Sequence, residues 1–293
     1  MVRDFRAALP AARIFVFDNN SSDETRAEAL KAGATVRSVA LPGKGNVVRR
    51  MFADVDADVY VLADGDATYH APSAPRLIAE LLERHLDMVA GVREHEDEEA
   101  YRWGHQLGNS MLTGTIRYIF GGAFKDMLSG YRVFSRRFVK SFPSMSHGFE
   151  IETELTVHAL ELRMPCAEVT TPYGARPEGS TSKLRTYTDG LRILSTIIRL
   201  FAIERPLRFY GLLALLLVLV AVGLALPLFP VYFATGQVPR FPTALLSTGL
   251  VILGALSFVT GLILETVTIG RREARHLHYL DYGVPSASGD AVD

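Results

Sequence analysis

One cysteine, Cys166, and one tryptophan, Trp103, stand in 293 residues. A lone cysteine cannot close an internal disulfide or build a cysteine-rich zinc site, so a reducing compartment suits the chain. An excess of one charge sign is also missing: 31 Lys plus Arg against 32 Asp plus Glu leave a formal net charge of −1. General nucleic-acid binders are usually strongly basic, so nucleic acid is not an expected partner. No secretory signal opens the sequence, because residues 1–10 are polar and mixed. No internal repeat is present.

Long apolar runs are confined to the end of the chain. One covers Phe209 to Phe233 and the other Thr243 to Ile269. Each exceeds the roughly 20 apolar residues that a helix needs to cross a bilayer. A pair of buried core helices is the alternative, disfavoured by the length of the charge-free runs. Pro227 and Pro230 interrupt the first run near its far end, and Pro239 and Pro242 precede the second. Arg199, Arg205 and Arg208 precede the first run, Arg271, Arg272 and Arg275 follow the second, and the loop between has Arg240 alone. By the positive-inside rule both ends face the cytoplasm, which predicts a multi-pass protein of the cytoplasmic membrane. The segment Arg185 to Glu204 interleaves Leu191, Leu194, Ile197 and Phe201 with Arg192 and Arg199, as expected of a helix lying in the headgroup layer.

Before the apolar runs, strand-like and helix-like pieces alternate. Arg13–Phe17, Thr35–Val39, Asp58–Ala63 and Met88–Val92 read as strands, and Asp23–Ala32, Gly45–Val55 and Pro75–His85 as helices, with Ser22 as an N-cap. Asp58–Ala63 is apolar enough for a buried strand. The alternation argues for an α/β sandwich with a mostly parallel sheet, in which ligands gather at the carboxyl ends of the strands. Asp18 and the triplet Asp64-Gly65-Asp66 fall at such ends. Tyr101–Phe120 reads as an amphipathic helix, and Glu94–Glu99 as a solvated loop.

Two carboxylates one residue apart at a strand end can share a divalent cation that stabilises a departing diphosphate; a plain turn is the competing reading of the same triplet. Asp18 is placed to accept hydrogen bonds from a base or ribose, whereas Ser22 and Asp23 suit helix capping. Gly43-Lys44-Gly45-Asn46 precedes a helix and puts Lys44 near a nucleotide, yet it lacks the full phosphate-loop spacing, so a kinase or NTPase is a poor match. Asp126 suits either a sugar contact or a turn cap, and Arg132 follows a tight Ser129-Gly130 turn. Arg176 and Lys183 flank a Gly-Ser-Thr-Ser turn that includes Ser182. Fixed cations there suit a phosphate, with ordinary surface charge as the alternative. His147 and Glu150 open a further helix, where capping competes with a sugar contact.

In order and spacing, Val16-Phe17-Asp18-Asn19-Asn20-Ser21-Ser22-Asp23-Glu24-Thr25, Gly43-Lys44-Gly45-Asn46, Asp64-Gly65-Asp66, Asp126-Met127-Leu128-Ser129-Gly130-Tyr131-Arg132 and Arg176-Pro177-Glu178-Gly179-Ser180-Thr181-Ser182-Lys183-Leu184 resemble glycosyltransferase family two, most of all its polyprenyl-phosphate enzymes. The resemblance covers most of Arg13 to Arg208. It implies a GT-A type nucleotide-binding sandwich and an inverting, metal-dependent transfer of a sugar from a nucleotide-sugar donor to a polyprenyl phosphate at the lipid bilayer. By residue it implies Mg2+ or Mn2+ at Asp64 and Asp66, donor at Asp18, Lys44 and Asp64, catalysis at Asp66, Asp126 and Arg132, and acceptor phosphate at Arg132, Arg176, Ser182 and Lys183. The expected organisation is a cytoplasmic catalytic domain over 1–183, an interfacial helix over 184–206, a transmembrane hairpin over 207–270 and a cytoplasmic tail over 271–293. Homo-oligomerisation is left open.

The family's first strand carries a Pro-x-Tyr-Asn-Glu-Glu-like turn with no match here. A start codon called late, a fragment, or loss of donor binding would each explain that. Loss of donor binding would make the chain a non-catalytic membrane scaffold or regulatory homologue. A processive polysaccharide synthase is a third reading, but its Gln-x-x-Arg-Trp motif does not match the surroundings of Trp103.

Overall fold

The computed structural model describes residues 1–95, 114, 124, 126, 129–144, 151–174, 195 and 198–285. The chain divides into two compact units, one of Met1–Leu194 with Ala274–Asp293 and the other of Ser195–Glu273.

In the first unit the described helices are α1 (Val2–Ala8), α2 (Thr25–Lys31), α3 (Lys44–Asp54), α4 (Ala74–Glu83), α5 (Arg136–Ser141) and α6 (Ile151–Glu161). The strands are β1 (Phe15–Asp18), β2 (Thr35–Ser38), β3 (Val59–Leu62), β4 (Met88–His95), β5 (Arg132–Ser135) and β6 (Cys166–Tyr173). The sheet departs from the expected mostly parallel one. β1 and β2 form a parallel pair, and a separate mixed sheet has the order β3-β5-β4-β6. In it β5 runs antiparallel to both β3 and β4, while β4 and β6 are parallel. Inserting β5 between two strands that point the same way is what makes the sheet mixed.

Among the described residues β1 pairs with β2 alone and β3 with β5 alone. A cavity of about 750 Å3 lies at the free edges, lined by Val2 and Phe5 of α1, Phe15 and Phe17 of β1, and Val59 and Val61 of β3. This corrects the expectation of a buried Asp58–Ala63 strand: only Tyr60 of β3 is buried, because the opposite edge borders the cavity instead of another strand. Ser22 is not a helix cap either. The residue before α2 is Glu24, and the Asp23 carboxylate accepts from the Thr25 amide at 3.0 Å.

Large side chains fill the mixed sheet. On one face Leu77 and Leu81 of α4 pack with Val89, Tyr131 and Val133. On the other Phe134, Phe138, Ile151 and Leu155 pack with Met88. The Phe134 and Phe138 rings stack 4.6 Å apart, a contact worth roughly 1 kcal/mol beyond area burial. Asp87, fully buried before β4, is held by Ser135 Oγ at 2.7 Å, by the Arg137 guanidinium at 2.5 and 3.0 Å, and by the Tyr279 hydroxyl at 2.9 Å. Tyr279 thus fastens the carboxyl end of the chain to this unit.

The second unit contains α7 (Pro206–Ala225), α8 (Leu228–Thr235) and most of α9 (Phe241–Leu280), with residues 198–204 helical ahead of them. Pro206–Thr235 and Phe241–Leu280 are long and apolar enough to cross a membrane. The second helix runs on past the expected end at Ile269, as far as Leu280. Its buried positions are Ser247, Gly254, Gly261 and Thr268. That seven-residue step keeps one seam of small residues facing a partner helix. Ser247 Oγ donates to Ala221 O at 2.7 Å, Ser257 Oγ to Tyr210 O at 3.0 Å and Thr268 Oγ1 to Ile203 O at 3.0 Å. A Cβ at Gly254 would lie 3.1 Å from Val218 Cγ2, and one at Gly261 3.4 Å from Leu207 Cα. Glu265 accepts from the Leu207 amide at 3.2 Å, satisfying one of the open donors at the start of α7.

Candidate active site

Asp18 closes β1, and Asp64 and Asp66 follow β3, so the acids expected at strand ends do stand there. The loops between them are tied together by side chains. Asn19 Nδ2 donates to Val39 O and to Leu41 O, each at 2.8 Å, while its Oδ1 accepts from the Gly43 amide at 2.8 Å. Asn20 Nδ2 donates to Ala40 O at 2.9 Å. Two motifs that look independent in sequence, Asp18-Asn19-Asn20 and Gly43-Lys44-Gly45, are therefore one structure. Gly43 has φ 115°, a region that L side chains avoid, and this turn starts α3 at Lys44. Asp18 itself accepts from the Ser21 amide at 3.2 Å.

Lys44 points away from solvent and lies between two carboxylates. Its Nζ is 2.5 Å from Asp64 Oδ1 and also contacts Glu152 Oε1 of α6. The three side chains are 17 %, 35 % and 7 % exposed for Lys44, Asp64 and Glu152. Burial alone would lower the Lys44 pKa, but the Glu152 and Asp64 charges outweigh it and raise it, so Lys44 stays charged. Burial pushes Glu152 upward, opposed chiefly by Lys44. Glu152 Oε2 is buried without a hydrogen-bond partner.

The Ser129-Gly130 loop covers this ion cluster. A Cβ at Gly130 would come within 2.7 Å of Asp64 Oδ2 and 2.9 Å of Lys44 Nζ, so any side chain there would displace both groups. The loop is pinned by the Gly130 amide donating to Tyr69 Oη at 2.9 Å and Ser129 Oγ donating to Gly91 O at 2.6 Å. Tyr131 Oη donates to His70 O at 3.3 Å, joining the loop to the turn after Asp66.

Asp66 Oδ1 accepts from the Thr68 amide at 3.3 Å and from Thr68 Oγ1 at 2.6 Å. Among the described residues no group of three or more His, Cys, Asp or Glu side chains gathers to hold a metal ion by itself. Two hard carboxylates one residue apart nevertheless fit Mg2+ or Mn2+, hard cations of the kind that binds through one or two carboxylates, substrate phosphates and water.

Arg132, expected from sequence to meet the acceptor phosphate, is fully buried. Its Nε donates to Ser129 O at 2.9 Å and its Nη1 to Thr156 Oγ1 at 2.9 Å. Burial lowers its pKa, while the charges of Glu152 and Asp126 act in the opposite direction. Arg132 thus braces the loop from behind. Asp126 is also buried, and its amide donates to Glu168 Oε1 at 3.1 Å. Arg176, Ser182, Lys183, His147 and Glu150 lie outside the described residues. Glu152 is the residue that sequence reasoning passes over. Its available signal is weak: a buried lysine needs a counter-charge, and several acids could supply one. Only the packing of α6 against α3 selects Glu152.

This α/β unit, with acids at its strand ends beside a buried lysine, has a glycosyltransferase fold. Glucosyl-3-phosphoglycerate synthase of Mycobacterium tuberculosis, solved with phosphoglyceric acid, superposes with a TM-score of 0.56 at 21 % identity, covering 68 % of this chain and 72 % of that one. The same enzyme solved with Mn2+, UDP-glucose and phosphoglyceric acid gives a TM-score of 0.54 at 21 % identity, covering 68 % and 74 %. The model of glycosyl transferase family 2 matches residues 2–142. Glycosyltransferase AglJ of Haloferax volcanii is 31 % identical over 265 residues, which is 89 % of this chain and 86 % of that protein. Protein RfbJ of Shigella flexneri is 57 % identical over 107 residues, 36 % of this chain and 83 % of that protein. The chain belongs to glycosyl transferase family 2.

Proposed function

We propose that this chain transfers a sugar from a nucleotide-sugar donor to a polyprenyl phosphate at the cytoplasmic face of a membrane, with Mg2+ or Mn2+ held at Asp64 and Asp66. One observation carries the reading: a single chain combines an acidic strand-end site with two helices long and apolar enough to cross a membrane. The divalent cation supplies charge for the departing diphosphate. Asp18 holds the nucleotide, Lys44 holds Asp64 in place beneath the Gly130 loop, and Asp64 and Asp66 orient the diphosphate. Arg176, Ser182 and Lys183, close in sequence to the first apolar helix, hold the acceptor phosphate. Asp126 and Arg132 act from behind, by fixing the Ser129-Gly130 loop.

A phosphomonoester is largely a dianion at neutral pH, with a second pKa near about 6. An acceptor oxygen forms its bond to the anomeric carbon from one face while the bond to the diphosphate breaks on the other, so the configuration inverts. No proton has to be removed from the acceptor, and a strong general base is unnecessary. The arginines flanking the apolar helices support a cytoplasmic site.

The test uses the full chain in membranes, undecaprenyl phosphate and a panel of labelled nucleotide sugars. Asp66→Ala is expected to lower transfer by about a hundredfold or more. Full activity in that variant removes the metal assignment. Transfer to soluble sugars but never to the lipid phosphate removes the acceptor assignment.

A second reading, a non-catalytic homologue, is favoured by the cavity between β1 and β3, since Asp18 and Asp64 follow strands that do not pair. Titrating UDP-glucose with Mn2+ against the purified chain separates the two, and saturable cation-dependent binding counts against the second.

A further inference from the structure

We propose that Glu152 is a positioning residue of the transfer site, whose carboxylate shares the Lys44 ammonium with Asp64 and so leaves Asp64 a negative charge to offer the cation and nucleotide. The inference rests on the reading of Asp64 and Asp66 as the cation's ligands. It begins from a conflict in that reading. A lysine 2.5 Å from Asp64 Oδ1 neutralises one of the two acids on which the cation depends. An acid paired one-to-one with an ammonium is a poor ligand for a divalent ion.

Glu152 resolves the conflict. Its Oε1 contacts the same Nζ, so Lys44 is divided between two carboxylates. With both carboxyl groups ionised, Asp64, Lys44 and Glu152 together carry one net negative charge, the charge that Asp64 alone would present. The second oxygen of Glu152 is buried with no hydrogen-bond partner, and the Lys44 ammonium is the largest influence that favours its charged form. A buried acceptor left unpaired is costly, and such groups call for an explanation. Balancing Lys44 is one.

The arrangement also explains why Lys44 is there. Its ammonium touches Asp64 on one side and lies 2.9 Å from where a Cβ of Gly130 would be on the other, which fixes the Asp64 rotamer under the loop. Glu152 enters from α6, a different element, so the position of Asp64 depends on α3, α6 and the loop before β5 together. Glu152 acts through Lys44 and is not assigned a contact with substrate.

The experiment measures Mn2+ binding directly, by electron paramagnetic resonance of the free ion against the full chain in detergent, with melting temperature as the check on folding. Glu152→Gln keeps the shape and removes the charge. It is expected to raise the Mn2+ dissociation constant about tenfold, as a neighbouring unit charge at this range requires. Lys44→Met should lower it. The double variant Lys44→Met with Glu152→Gln restores one net negative charge and should return to within about threefold of the parent, a rescue that general loosening of the fold would not produce. A folded Glu152→Gln that binds Mn2+ like the parent overturns the inference alone, as does a double variant as weak as the single one. A parent chain that binds no Mn2+ overturns the metal assignment and the inference with it.

Discussion

The two units of this chain bury opposite kinds of residue. In the first, the interior is Phe134, Phe138, Tyr131, Leu77 and Ile151, and charge is kept inside in paired clusters such as Lys44 with Asp64 and Glu152. In the second, the buried seam is Ser247, Gly254, Gly261 and Thr268, while Leu216, Leu219, Ile252, Leu256 and Ile263 point outward. The difference teaches what packing each unit relies on. Large apolar side chains hide in a unit whose outside is polar, whereas a seam of small residues with large apolar ones outward is the pattern expected of helices that cross a membrane, where close backbone approach is what packing gains.

The comparison is broken most severely at Gly130. Gly130→Val puts a side chain onto Asp64 and Lys44, and transfer should fall by about a hundredfold, far more than the modest drop in melting temperature that overpacking brings. Next comes pH. Burial, then Arg275, depresses the His158 pKa from 6.5 to about 3. Ser141 Oγ donates to Phe138 O at 3.1 Å, so the His158 Nε2–H donates to Ser141, leaving Nδ1 bare and without a hydrogen-bond partner. The unfolded chain takes up this proton below pH 6.5 and the folded chain does not. Stability from this group is complete above 6.5 and is lost progressively toward 3. Between about pH 6.5 and about pH 5 the first unit should lose about 2 kcal/mol in a denaturant titration, and His158→Gln should flatten that slope.

A smaller effect is expected in the second unit. Gly254→Ala places a methyl 3.1 Å from Val218 Cγ2 and 3.3 Å from Ala214 O, costing about 1 kcal/mol, whereas Leu256→Ala, on the outward face, should cost less. The reverse ranking, read by unfolding in detergent, would show that the seam is not the packing surface. The smallest effect sharpens the first unit: burial pushes the Cys166 thiol up to about 12, so maleimide labelling at about pH 8 should be slow in the folded chain and fast only after denaturation.

Much of this is readable from the residues. Asp18, Lys44, Asp64 and Asp66 are found at the element ends where strand and helix periodicity set them, and the two apolar helices occur where composition demands. What escapes is non-local. Asn19 looks like part of a strand-end turn, yet it carries Gly43 and Leu41. Arg132 looks like a phosphate ligand after a tight turn, and β5, inserted between β3 and β4, draws it inside. Val59–Leu62 looks buried because its residues are apolar, although a cavity flanks it.

Local order along the chain determined by itself the alternation of elements, the acids at strand ends, the glycine turn ahead of Lys44 and the two membrane-length helices, since each depends on side-chain period or on backbone freedom within a few residues. Tertiary structure alone decided that β5 makes the sheet mixed, that Glu152 meets Lys44 from a distant helix, and that Arg132 faces inward. The reason is physical: hydrogen-bonded pairing of strands and the sharing of a buried charge are settled by which distant segments come into contact, and no local propensity encodes that choice.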